Sequence, residues 1–385
     1  MNRLIVALAL VAGCGSNAGT NDMGSGCTMI EGVCLFAPTT IAVRTPCGDV
    51  TEFCDKTANP TPNLACLATP IVPGAGPATV TVTGFVHVFS SGPDSKGVSV
   101  AFYDAAALSA GQEITSTSPI AMLANVQLDP ATQRACDSDA KNGCSLPSTT
   151  GCALPICNDG LGTHADSNKY CRDNGTDTSC NDRLRWESRY TIPGIPTNKQ
   201  LVVRVTGPGG AADQTWASLV TWNVYLSTAD HACTDNQDND CLNLTVAANP
   251  TYQLNVNALS KSDYVNIPTV AGLGGGISAG KGAIAGEIHD CDNVRVGNVV
   301  VGTAPVPERS SYFNGNPIMT LPDSSRLATD RLGLYTALNM PPGKAHVVAA
   351  GLTSPGGALT SFGTFDAFIY QDTVSVINVN GGKPH

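Results

Sequence analysis

The sequence predicts an all-β protein of two tandem β-sandwiches of the seven-strand type, the first bearing disulfide-rich insertions and both preceded by a small cysteine-rich module. Three observations predict it. Val, Thr, Ser and Asn recur in short alternating runs punctuated by Gly (40) and Pro (25), the profile of short strands joined by many turns. No long amphipathic helical stretch interrupts those runs. Fifteen cysteines lie among Asn-, Asp- and Gly-rich loops, which points to disulfides formed in an oxidising compartment.

Residues 1–13 read as an export signal. Arg3 supplies the positive start, Leu4 to Val11 a short apolar run, and Ala12-Gly13 the small residues that an export peptidase requires. The run is too short to cross a bilayer as a helix. Cys14 follows at once, so the segment resembles a bacterial lipoprotein signal, in which that cysteine is acylated (palmitate among the acyl groups) and becomes the mature N-terminus. Each buried methylene would contribute about 0.8 kcal/mol to membrane attachment. Gly15, where some lipoproteins carry a retention Asp, favours the outer membrane, on its periplasmic or cell-surface side.

Cysteine parity agrees with that assignment. Removing Cys14 leaves an even set that can pair fully: Cys27, Cys34, Cys47, Cys54, Cys66, Cys136, Cys144, Cys152, Cys157, Cys171, Cys180, Cys233, Cys241 and Cys291. After a linker at 14–26, the module at 27–70 holds Cys27 with Cys34 and Cys47 with Cys54, each pair separated by six residues, and then Cys66. Five cysteines here and one in the second sandwich are both odd numbers, so at least one disulfide crosses between segments. Cys66 with Cys291 is one such pairing.

The sandwiches emerge from an internal repeat. Tyr190 to Val203 lies without gaps on Tyr335 to Val348 at an offset of 145, with Asn198 standing where the other copy has Gly343. Those two residue types best tolerate the positive φ of a tight turn. Gly84 to His87 matches Gly286 to His289 at an offset of 202, and Leu254 to Asn257 matches Ile377 to Asn380 at 123. The strands after Gly97 and Gly297 correspond as well, and Trp216 and Trp222 align with Phe362 and Phe368 as core positions. Val80, Val82, Val86 and Val88 alternate as a half-buried strand should, with a bulge suggested near Gly84.

The differing offsets locate extra chain in the first copy. One insertion covers about 128–184 and carries Cys136, Cys144, Cys152, Cys157, Cys171 and Cys180; a second, at 229–250, carries Cys233 and Cys241. Sandwich 1 is thus bounded at 78–265, a Gly-rich flexible linker at 266–282, and sandwich 2 at 283–382. Stripped of insertions, each copy has the length of a β-sandwich. Gly333-Leu-Tyr335 and the Pro341-Pro-Gly343 turn ahead of Val347-Val348 resemble the carboxypeptidase regulatory-like domain. That resemblance implies the transthyretin-like fold and a non-catalytic binding or spacer role.

Composition excludes several functions. A net charge of −10 with only 14% charged residues makes nucleic acid and anionic membrane surfaces poor partners. Gly276-Ile-Ser278-Ala-Gly280 has the letters of a nucleophile elbow, but no strand-to-helix context surrounds it. Gly275 to Lys281 imitates a phosphate loop, but Gly282 replaces the Ser or Thr that would hold Mg²⁺. His87, His164, His231, His289, His346 and His385 show no zinc-protease spacing, and no Cys-x-x-Cys occurs. Asp235, Asp238 and Asp240, and likewise Asp137, Asp139 and Asn142, offer alternating oxygens to Ca²⁺ but lack its full ligand pattern, so no cofactor or metal is assigned.

The expected function is therefore non-enzymatic: a lipid-anchored envelope protein displaying stapled loops to a protein or glycan partner. The alternatives are a surface hydrolase or carbohydrate-active enzyme using carboxylates such as Asp159, Asp166 or Asp182 on the first insertion, or a passive spacer.

Overall fold

The computed structural model describes residues 26–47, 53–68, 76–89, 95, 97–128, 188–209, 213–233, 239–243, 250–315 and 321–380. The signal and Cys14, the six cysteines and all candidate carboxylates of the first insertion, and Asp235 and Asp238 lie outside the described residues.

The N-terminal segment contributes β1 (Thr28–Ile30), β2 (Val33–Leu35) and β3 (Val43–Arg44). Sandwich 1 is built from β4 (Thr79–Val88), β5 (Ser99–Asp104), β6 (Ala121–Leu123), β7 (Gln127–Leu128), β8 (Ser188–Pro196), β9 (Gln200–Thr206), β10 (Trp216–Tyr225), β11 (Cys241–Asn243), β12 (Thr251–Gln253) and β13 (Val256–Ser260). Helix α1 (Lys261–Val270) follows. Sandwich 2 comprises β14 (Gly282–His289), β15 (Val296–Gly297), β16 (Val299–Ala304), β17 (Arg309–Phe313), β18 (Pro322–Asp323), β19 (Leu334–Met340), β20 (Gly343–Leu352), β21 (Leu359–Ile369), β22 (Thr373–Ile377) and β23 (Val379–Asn380). The protein is all-β, with α1 the one α-helix among the described residues.

The alternating valines do what alternation dictates. Val80, Val82 and Val86 of β4 point inward and meet Val100 and Phe102 of β5 and Val203 and Val205 of β9. In sandwich 2 the equivalent layers are Ile284 and Ile288 of β14 against Val347 of β20 and Phe362 of β21. Each aliphatic or aromatic side chain fully buried this way contributes about 1.5–3 kcal/mol.

The repeat holds at the level of strand register. Thr81 faces Thr251 in parallel pairing, and Ala283 faces Val374; Val86 faces Val256, and Ile288 faces Val379. The positive-φ turn positions recur too, with Asn198 at 51° and Gly343 at 129°. Gly194 (77°) and Asn339 (57°) mark a second shared position, where β8 and β19 each step out of register with their partners. The bulge suggested near Gly84 therefore sits instead on the facing strand, opposite Val80 and Val82, because Gly194 supplies the left-handed residue that such an irregularity uses.

Two features depart from tandem beads on a string. First, β10 of sandwich 1 pairs in parallel with β22 of sandwich 2, from Ser218 with Thr373 to Trp222 with Ile377, so a single 16-stranded sheet runs through both. Their cores merge: Tyr103, Val202 and Val220 share one apolar cluster with Ile284 and Phe362, and the Trp222 ring meets Phe368 edge-on at 5.6 Å. Second, residues 266–282, read from sequence as a linker, start inside α1. The Ser260 side chain caps that helix by accepting from the Asp263 N–H at 3.0 Å. The chain then runs as turns over the shared sheet, where Ala271, Leu273 and Ile277 pack on it.

Candidate functional site

The N-terminal segment bypasses sandwich 1 and lies along sandwich 2. Val33 and Leu35 pack on Val300, Val348 and Ala350, and β3 pairs with β15 through Arg44–Val296 and Val43–Gly297. Cys66 is bonded to Cys291, closing this strap onto the sheet. Cys27–Cys34 and Cys47–Cys54 staple its turns, and Cys233–Cys241 staples the second insertion.

Under the strap lies a charged cluster. Arg44 Nε donates to Asp290 Oδ2 at 2.6 Å, its other amines bond Asp292 and lie 3.5 Å from Asp55, and the Asp290 side chain is wholly buried. Asp290 Oδ2 also accepts from the Asn63 N–H at 2.9 Å, and its Oδ1 from the N–H groups of Asp292 and Val294. Burial opposes the Arg44 charge, but Asp290 and Asp292 outweigh it and raise the guanidinium pKa.

Along the same face of β14 sits Glu287. Its carboxylate accepts two bonds from Arg295, at 2.8 and 3.0 Å, and lies 2.9 Å from His289 Nε2. Burial alone would raise the Glu287 carboxyl; the Arg295 guanidinium and His289 overcome it and bring the pKa down to about 2. His289 Nδ1 faces Asn293 Oδ1 at 2.7 Å, and the ring packs 4.9 Å from Phe53 of the strap. His87 and His289 occupy equivalent register positions, opposite Asn257 and Asn380 respectively, but only His289 lies beneath the strap.

Between this cluster and α1 the packing on the shared sheet leaves a recess. Leu219, Leu259, Ala283, Ala285, Val374 and Val376 line a groove of ≈ 100 Å³ together with Tyr264, Ile267 and Pro268 of α1 and with Phe89 and Phe313. Glu287 and Asn378 stand at one end.

The other sequence candidates take structural roles. Ser278 accepts from Asn339 Nδ2 at 3.1 Å, and Asn339 Oδ1 accepts from the Ser278 N–H. Asp240 closes the Cys233–Cys241 loop with a φ of 52° beside Tyr190 and Tyr252. No metal-ligand cluster occurs among the described residues. The first insertion leaves after Leu128 and returns at Ser188, which pair with each other near the end of β4. The second leaves after Thr228, beside Asn198 at the start of β4, so the two insertions depart from opposite ends of sandwich 1.

Arg44, Asp290, Asp292, Glu287, Arg295 and Tyr264 are not among the site residues expected from the sequence. The signals present were Asp290-Cys291-Asp292, which flanks a cysteine expected to pair outside its own segment, and Glu287-x-His289 on one strand face.

No protein-family model matches the chain, and no curated protein matches it. Among solved structures, the shaft pilin spaA from Lactobacillus rhamnosus GG aligns at 10% identity over 78% of this chain and 97% of that one, with a TM-score of 0.18. The SpaE basal pilin of the same organism aligns at 10% identity over 71% and 84%, with a TM-score of 0.14. Likeness of this degree carries no argument about function.

Proposed function

We propose that this chain is a non-enzymatic cell-envelope protein, tethered by an acylated Cys14, whose joined sandwiches present the cysteine-bearing insertions to a protein or glycan partner. One observation carries the reading: the strap docks on sandwich 2, both insertions leave sandwich 1, and the β10–β22 pairing makes a continuous sheet between them. The segment nearest the tether and the segments offered for binding thus occupy different sandwiches of one sheet, and loops on rigid scaffolds are where binding concentrates. The four disulfides among the described residues fit an oxidising compartment.

The test is cross-linking in intact cells, comparing the full chain with a variant lacking residues 130–184 whose melting curve shows it to be folded. The reading expects cross-linked products that vanish with the deletion. Identical products from both proteins, or steady turnover of esters, peptides or glycans by the purified chain, would overturn it.

A further inference from the structure

The groove over the shared sheet is independent of the insertions and is built unlike a sealed core. Interiors are close-packed, and voids larger than a water molecule are few. Here a recess remains among Ala283 and Ala285 of the sheet and Tyr264, Ile267 and Pro268 of α1, and its mostly apolar lining with a few polar groups is the composition of a small-molecule site.

Two further observations define what fits. Tyr264 lines the groove, and its hydroxyl is buried without a hydrogen-bond partner, although the desolvation of such a group is ordinarily compensated by a bond. Burial, with Asp372 adding to it, pushes that phenol up to about 12, so it stays a neutral donor. The lining also holds two carboxylates, Asp263 and Glu287, and no Lys, Arg or His among the described residues. Glu287 is already matched by Arg295 and His289. An anionic head group would meet like charge, and a cation would find Glu287 already engaged.

We propose that this groove binds a neutral single-chain lipid, its alkyl chain on the Ala283–Ala285 floor and an uncharged head-group oxygen accepting from the Tyr264 hydroxyl. Strand rise of ~3.3 Å per residue gives the floor from Ala283 to Glu287 a length of ~13 Å, which suits an extended chain rather than a compact ring.

Calorimetric titration of the full, disulfide-bonded chain with monodecanoylglycerol below its micelle concentration tests this, with decanoate as the charged control. Saturable one-site binding of the glyceride is expected, with decanoate at least about tenfold weaker. Tyr264→Phe should weaken binding about tenfold without lowering the melting temperature, because the oxygen it removes has no protein partner. Ala285→Phe, which fills the groove, should abolish binding. Absence of saturable binding, equal affinity in Tyr264→Phe, or decanoate binding as tightly as the glyceride each overturns the proposal. Should Ala285→Phe fail to fold, Tyr264→Phe decides alone.

Discussion

The Tyr335 hydroxyl donates to the Ile377 carbonyl at 2.7 Å, and its counterpart in the other sandwich, Tyr190, donates to the Leu254 carbonyl at 2.6 Å. Both phenols are fully buried. A buried hydroxyl needs a partner, and here it ties one strand of the sheet to the crossover between two others. Phe85 N–H to Asn255 Oδ1 and Glu287 N–H to Asn378 Oδ1, each 3.0 Å, complete the same motif twice. Tyr190→Phe and Tyr335→Phe should therefore destabilise by similar amounts, about 1–2 kcal/mol each, read from urea unfolding. A large effect in one sandwich and none in the other would show that the motif is not shared.

Glycine at the centre of this motif is required by space. A Cβ on Gly84 would lie 1.9 Å from the Leu254 carbonyl oxygen, and one on Gly286 would lie 1.9 Å from that of Ile377. Gly84→Ala and Gly286→Ala should each cost more than about 4 kcal/mol and remove the cooperative melt. Gly274→Ala, where a methyl meets open space, should stay within about 0.5 kcal/mol.

The repeat was legible because its geometry forces residue types: offsets of 202, 145 and 123 bring Gly286, Tyr335 and Ile377 onto Gly84, Tyr190 and Leu254. Cysteine parity likewise pointed toward a bond such as Cys66–Cys291. What joins the parts was not legible. Arg44 and Asp290 are 246 residues apart and carry no periodic signal, and the parallel β10–β22 pairing leaves no turn between its strands to read. Helix α1 contains Pro268 and only a weak apolar face, so its Gly-rich continuation suggested a linker; packing on the sheet, not propensity, holds it.

Arg44 holds the strap through charges that cannot be left alone. Arg44→Met leaves Asp290 buried without its cation and should destabilise by about 3–5 kcal/mol in urea unfolding. Arg44→Met combined with Asp290→Asn should recover part of that loss, since the uncompensated charge is gone.

Glu287 should make stability depend on acid. Its folded pKa, about 2, lies below the ordinary carboxyl value of about 4.3, so its contribution is complete above pH ~4.3 and is lost as pH falls toward 2. Glu287→Gln should be less stable than the wild type by roughly 3 kcal/mol at pH 7. The gap should close between pH ~4.3 and 2 in paired denaturation curves; a constant gap would assign the loss to packing.

On the proposed anchoring, Cys14→Ala should move the protein from the membrane to the soluble fraction of fractionated cells, because acyl chains on Cys14 would supply the attachment. Unchanged membrane association would refute the anchor.

The Cys66–Cys291 bond makes the chain between those residues a covalent ring, and sandwich 1 with both insertions lies wholly inside it. A single protease cut anywhere in that ring severs the backbone yet sheds nothing: both fragments remain one molecule under oxidising conditions. Sandwich 1 and its insertions can thus be nicked without separating sandwich 2 or the C-terminal strands from the N-terminal end of the chain.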